Sequence, residues 1–299
     1  MDSKIVLSTS NLKNKKPKVL VLILCSRNYL SYISSKTQKK LWDKYSSKYQ
    51  IQHFIGNPYL AEREVDYVLN NQSQYLHLDV SDNYQNIAKK TFLALEFINL
   101  NYDFDYIFRT NTSSFIDFRK FEKYISDNIE NIDYSGSTLK ASEGDTIASG
   151  AGFFLSKKNV EIIVNNKKEF NASLPDDVAI ARLLSQFNIV PNDLRRKDLK
   201  AVPSPGSVFN SDHFHYRCRL DPQYHRILEP LLMRYLDRVS KNTRFLSFIN
   251  YYFLKLIFNF SNIQVIYKII QKYYSFKFYG EINIGKKTIF SIQKNGLKN

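Results

Sequence analysis

The sequence predicts an α/β fold: a mostly parallel central sheet flanked by helices, followed by a basic, aromatic helical segment at the C-terminal end. Three observations predict it. Strand-like and helix-like patterns alternate from residue 18 to about 190, the order that produces a layered sheet. Residues 18–26 form a nearly unbroken β-branched and leucine run, as suits a strand buried on both faces. From about residue 222 the character changes to aromatic and basic.

Each element has its own justification. Residues 1–17 are polar and Lys/Asn-rich; they read as a flexible leader and lack the apolar centre of a signal peptide. Residues 18–26 are the first strand. Residues 34–45 predict a polar helix carrying Trp42, and residues 50–55, closed by Gly56, a second strand. Asp82-Asn83-Tyr84-Gln85 reads as a capping box, with the Asp82 side chain accepting from the Gln85 amide. The helix it opens places Ile87, Thr91, Ala94, Leu95 and Ile98 on one face. Residues 105–109 predict a strand, and apolar character resumes at Phe115-Ile116 after a polar break. Residues 147–156 predict a strand containing glycines, and residues 177–187 a helix. Ligands of open sheets sit at the carboxyl ends of strands. Both the break at 110–114 and the small-residue turn at 149–152 fall near strand ends.

Composition narrows the function. With 299 residues and 43% hydrophobic content the chain can bury a sizeable core, which excludes disorder along its whole length. A net charge of +15 predicts an anionic partner: a phosphorylated small molecule, an anionic membrane surface or nucleic acid. No nucleic-acid recognition motif is present, so nucleic acid is the least favoured of the three. Two cysteines, Cys25 and Cys218, make no disulfide framework and suit a reducing, cytoplasmic compartment. The apolar stretch at 245–260, interrupted by Lys255, is shorter than the roughly 20 residues of a membrane span. Residues 241–299 hold nine lysines, one arginine and one glutamate, a balance of +9. Aromatic residues beside lysines suit a segment lying on an anionic membrane. A helical subdomain packed on the core, or an oligomer contact, would have the same composition.

Candidate site residues each carry two readings. Asp176 and Asp177 follow Pro175 at a helix start, where they would cap free amides or supply a base. Ser149, Gly150, Ala151 and Gly152 read as a strand bulge or as a place where backbone approaches a ligand. Asn111, Thr112 and Ser113 read as a polar turn or as hydrogen-bond donors to a substrate. Arg109 reads as a paired arginine or as a counter-charge to phosphate. His213 and His215 read as structural histidines or ligands. Arg217 and Arg219 read as a solvated basic face or as a diphosphate site.

Five stretches, in order, resemble the Fringe-like β-1,3-glycosyltransferases, a family with the GT-A nucleotide-sugar fold. They are residues 19–26 with Thr37-Gln38-Lys39-Lys40-Leu41-Trp42; Asp79 with Tyr84-Gln85-Asn86 and Lys90-Thr91; Asp105-Tyr106-Ile107-Phe108-Arg109-Thr110; the run at 148–156 around Ser149-Gly150-Ala151-Gly152; and Pro175-Asp176-Asp177-Val178. The similarity spans roughly residues 18–220. It implies a transferase acting with inversion from a nucleotide-sugar donor, UDP-linked in this family, on a carbohydrate or lipid-linked glycan hydroxyl. It implies Asp177 as general base, Asp176 as helix cap or acceptor contact, and His215 as a metal ligand. One departure weakens the metal: the family's Asp-rich triplet is here Asn111-Thr112-Ser113, and amide and hydroxyl groups hold Mn²⁺ or Mg²⁺ poorly. Arg217 and Arg219 would then neutralise the leaving diphosphate. The alternative is a degenerate relative that binds nucleotide sugar or glycan without turnover.

Overall fold

The computed structural model describes residues 16–57, 60, 67–70, 75–141, 144–221, 223–241, 244–259, 264–265 and 268–269. All but the last two residues of the expected leader, and most of the chain beyond 259, lie outside the described residues. Strand β1 (Val19–Leu24) leads to α1 (Tyr29–Trp42), β2 (Gln50–Gly56), β3 (Tyr67–Asn70), β4 (Tyr75–Leu78) and α2 (Ile87–Asn101). Then come β5 (Tyr106–Asn111), β6 (Ser114–Ile116), α3 (Phe118–Asn128), β7 (Tyr134–Lys140), β8 (Thr146–Ser156), α4 (Lys157–Asn165) and α5 (Asp176–Ser185). The chain continues through β9 (Asn192–Asp193), β10 (Lys197–Leu199), α6 (Pro205–Phe209), β11 (His215–Cys218), α7 (Glu229–Ser240) and α8 (Arg244–Phe258).

Among the described residues the main sheet has eight strands in the order β3-β4-β2-β1-β5-β8-β7-β9. Its centre, β4-β2-β1-β5, is parallel, and β7 pairs with β9 in parallel. Three pairings, β3 with β4, β5 with β8 and β8 with β7, are antiparallel. The α/β expectation holds, with antiparallel strands flanking the parallel block on both sides, β3 beside β4 and β8 beside β5.

Alternation along β1 sets both faces of the core. Leu20, Leu22 and Leu24 face a cluster shared with α2, α4 and α5. Val19, Val21, Ile23 and Cys25 face one shared with Trp42 of α1 and with Phe118, Phe121 and Ile125 of α3. Both layers must be apolar, which is why β1 has no polar position. A third cluster joins Tyr29, Phe115 and Tyr216 to Leu232, Leu236 and Leu254, so α7 and α8 pack on the small sheet β10-β11-β6 and on the start of α1.

Two expectations change. Helix α1 starts five residues before 34, because Asn28 caps it, its side chain accepting from the Ser31 amide at 2.9 Å. Asp82 is not half of a capping box. Asn83 accepts from the Asn86 amide at 3.0 Å, while Asp82 pairs with Lys90 at 2.5 Å and accepts from the Arg27 amide. Lys90 is 1% exposed, and a buried ammonium needs a counter-ion more than a helix start needs a second cap.

The chain leaves β1 toward β2 on one side of the sheet, and β5 lies on the other. The register sets Leu24 beside Asn111, so the segments following β1 and β5 adjoin at the carboxyl edge of the parallel block. A crevice at such a reversal is where α/β sheets take ligands.

Candidate active site

The run Ser149-Gly150-Ala151-Gly152 lies inside β8 rather than in a tight turn at a strand end. It is nevertheless displaced from the ladder. Between the Gly136–Phe153 and Thr138–Ala148 pairs, β7 advances two residues and β8 five. The extra residues form a bulge, which takes this stretch of β8 out of the β7 ladder. Gly152 is the last β8 residue in register with β5, opposite Thr110, so Ser149, Gly150 and Ala151 continue past the region paired with that strand.

The start of α5 meets this bulge. Asp177, half-buried, accepts from the Gly150 amide at 2.8 Å through Oδ2 and from the Val178 amide at 3.0 Å through Oδ1. Each carboxylate oxygen keeps a further lone pair for another donor. A Cβ on Gly150 would stand 3.1 Å from Asp177 Oδ2 and 3.3 Å from Asp176 Oδ1. Glycine therefore lets two carboxylates close on the bulge.

Asp176 is buried and turned inward. It forms an ion pair with Arg109 and accepts from the Thr91 hydroxyl at 2.8 Å. Arg109, 1% exposed, also donates to the Gly150 carbonyl and lies over the Phe153 ring. Burial pushes the Asp176 carboxyl up and Arg109 opposes it, with the charge of Asp177 adding to the rise. Arg109 and Asp176, expected to contact substrate, thus neutralise each other beneath the bulge and hold Gly150 from below. Desolvation makes this pairing obligatory, since either charge alone would be uncompensated.

The turn at Asn111, Thr112 and Ser113 is tied internally. The Asn111 side-chain oxygen accepts from Ser113 N at 3.0 Å and Ser113 Oγ at 2.7 Å. Thr112 Oγ1 donates to Ser31 Oγ at 3.2 Å. From α1, the Gln38 amide donates to the carbonyls of Asn111 and Ser114 at 3.1 and 2.7 Å. Thr110 Oγ1 lies 2.8 Å from both Ser114 Oγ and the Ala151 carbonyl, which joins this turn to the bulge.

His215 closes the constellation. Its Nε2 is 3.0 Å from Ser114 Oγ, and its ring rests on Gly152, where a Cβ would come within 2.2 Å of Cε1. Burial, reinforced by Arg196 and Arg217 and opposed by Asp198, pushes its pKa down to about 3. His213 stands apart, 2.8 Å from Ser211 Oγ. Arg217 is partly exposed, 3.6 Å from Asp198, and Arg219 is exposed. Arg196 was not foreseen. It donates to both Asp198 oxygens at 2.6 and 3.2 Å and to Ser149 Oγ at 3.0 Å, linking β10 to the bulge. Its position within Arg195-Arg196-Lys197 reads as solvated charge; only the Asp198 two residues on, a same-face spacing in a strand, signals a partner.

The implied Mn²⁺ or Mg²⁺ does not fit these residues. The buried Nδ1 of His215 has no hydrogen-bond partner among the described residues. Yet among them no group of three or more His, Cys, Asp and Glu side chains could hold a metal ion. Two of the three side-chain charges acting on His215 are positive. A hard divalent cation requires several oxygen ligands, carboxylates above all.

No family model matches the chain, and no curated protein is matched. Solved structures similar to it include a Bacillus anthracis protein assigned as a glucose-1-phosphate thymidylyltransferase, in complex with sucrose. It shares 13% identity at a TM-score of 0.34, over 60% of this chain and 87% of that one. Another is the galactosyltransferase LgtC in complex with donor and acceptor sugar analogues, at 10% identity and a TM-score of 0.37, over 75% and 95% of the two chains. At TM-scores below 0.5 these likenesses add nothing to the α/β layering already described.

Proposed function

We propose that this protein is an inverting glycosyltransferase that moves a sugar from a nucleotide-sugar donor, UDP-linked as in the family it resembles, to a hydroxyl of a carbohydrate or lipid-linked glycan. The observation that carries this reading is Asp177: a half-exposed carboxylate fixed against the Gly150 amide, in the part of β8 that runs past its pairing with β5. The ordered motifs shared with Fringe-like enzymes support it.

In the step proposed, Asp177 takes the proton of the acceptor hydroxyl. The freed oxygen pair forms a bond to the anomeric carbon from the face opposite the donor phosphate. The bond from that carbon to the phosphate oxygen breaks, and its electron pair leaves with the nucleoside diphosphate. Arg217, partly exposed and 3.6 Å from Asp198, would offset the developing charge together with the exposed Arg219. Arg196 positions Ser149 and Asp198 and stays engaged with them.

The test is nucleoside-diphosphate release from a panel of nucleotide sugars, with and without glycan acceptors, by the wild type and Asp177→Asn. Loss of the base should lower turnover by about 10²–10⁴-fold. No release with any donor, or full turnover by the variant, overturns the proposal. A second reading, binding without turnover, is favoured by the missing carboxylates at 111–113. Saturable nucleotide binding with no release would establish it.

A further inference from the structure

Helix α8 is apolar on two opposite faces, with Asn250 and Lys255 on the flanks between them. Ser247, Leu254 and the partly buried Tyr251 and Phe258 turn toward the third core cluster and α7. At 100° per residue they occupy one arc of the helix, and Leu246, Phe248, Ile249, Tyr252, Phe253 and Leu256 fill the opposite half. These six side chains are 48–71% exposed. Lys255 stands at the edge of this half-cylinder, exposed, its ammonium 5.7 Å from the Tyr251 ring centroid. A contiguous exposed apolar face of this kind marks a site of contact.

We propose that this face of α8 docks on an anionic lipid membrane surface, independently of the reaction at Asp177. Charge selects this occupant. Residues 241–269 contain Lys241, Arg244, Lys255 and Lys268 and no acidic residue. A second copy of the chain would bring the same positive segment against itself, and residues 270–299 add five more net positive charges (six lysines against one glutamate). An anionic lipid surface offers the complementary charge together with an apolar layer for the rings. Length selects the mode. Fifteen residues span about 22 Å, against a hydrocarbon layer of about 30 Å, and no helix among the described residues is long and apolar enough to cross. The helix lies in the interface, held to the protein by Leu254 and presenting Phe248, Tyr252 and Leu256 to the acyl boundary.

The experiment is flotation of the full chain with vesicles of phosphatidylcholine alone or mixed equally with phosphatidylglycerol. Binding is expected to the mixed vesicles only, at least ten-fold above the neutral ones. It should weaken between about 0.05 and 0.5 M salt as the screening length contracts from roughly 14 to 4 Å. The variant Phe248→Ser/Phe253→Ser/Leu256→Ser changes only exposed positions and should stop floating while keeping its circular dichroism spectrum. Lys255→Glu should weaken flotation without abolishing it. Absence of flotation at low salt, equal binding to both vesicle types, or a salt-stable dimer by light scattering that the triple variant makes monomeric each overturns the proposal. Retained nucleotide-diphosphate release in the triple variant would leave the site at Asp177 standing on its own.

Discussion

Arg109 and Asp176 form a buried ion pair directly under the Gly150 carbonyl, so the strand that supplies the arginine and the helix that supplies the catalytic candidate are locked to the same bulge. Asp177 owes its position to its neighbour in sequence. Removing one partner leaves the other charged and desolvated. Arg109→Met and Asp176→Asn should each cost about 3–5 kcal/mol in urea unfolding. Arg109→Met/Asp176→Leu should recover much of that loss, because an apolar pair leaves no orphaned charge. Equal destabilisation of the single and double variants would show that the pair is not coupled.

Gly152 and His215 are fitted to one another. An alanine at 152 would put its Cβ 2.2 Å from the imidazole Cε1 and 2.7 Å from Nδ1. The ring is pinned by Ser114 and walled by Phe108, 5.3 Å between centroids, so it has little room to retreat. Gly152→Ala should destabilise by roughly 1–3 kcal/mol. In combination with His215→Ala the cost should largely vanish. A double-mutant cycle with a coupling energy below about 0.5 kcal/mol would contradict the fit.

Much of this frame was legible in the sequence, and the illegible parts share a cause. Residues in β1, β5 and β8 and the start of α5 announce themselves because burial on two faces, or a proline and two acids at a helix start, leaves few alternatives. Strands β3 and β4 are four residues each, too short for alternation to be distinctive. The two-residue β9 and the three-residue β6 and β10 exist only through partners distant in the chain. The bulge in β8 depends on how β7 is registered against it. At the site, the types of Asp176, Asp177, Arg109 and His215 were readable, but which of the two aspartates faces inward was not. Thr91, on α2, decides that by donating to Asp176.

Three buried histidines make stability depend on pH. His53 is held well below its ordinary range by burial and by Lys39. Burial, with Arg27 and Lys39, lowers His77 to about 4, and burial lowers His215 to about 3. In the unfolded chain each titrates near 6.5, so below that pH the unfolded state binds more protons than the folded one. Stability contributed by these groups is therefore fully present above about pH 6.5. It is lost as pH falls toward 4, with a limiting slope of roughly 1.4 kcal/mol per pH unit for each histidine. Urea midpoints measured from pH 7.5 to 4.5 should fall steadily below 6.5, and His53→Phe and His77→Phe should each flatten the slope by about one proton. A midpoint independent of pH across this range would mean that the imidazoles are charged in the folded protein.

Chelation tests whether the proposed transfer needs a metal. At the end of β5 the chain presents an amide and two hydroxyls, already bonded to one another and to α1, where the resemblance calls for carboxylates. The positive charge of Arg196 and Arg217 beside His215 opposes a divalent cation and, in the proposed transfer, would favour a leaving diphosphate. If the proposed transfer occurs, its rate should change less than about three-fold in excess EDTA. Removing the partly exposed guanidinium with Arg217→Gln should lower turnover by roughly 10²–10³-fold, the range for losing one electrostatic contact to developing charge. Abolition of turnover by EDTA with recovery on adding Mn²⁺, together with an indifferent Arg217→Gln, would assign the leaving-group charge to a metal after all.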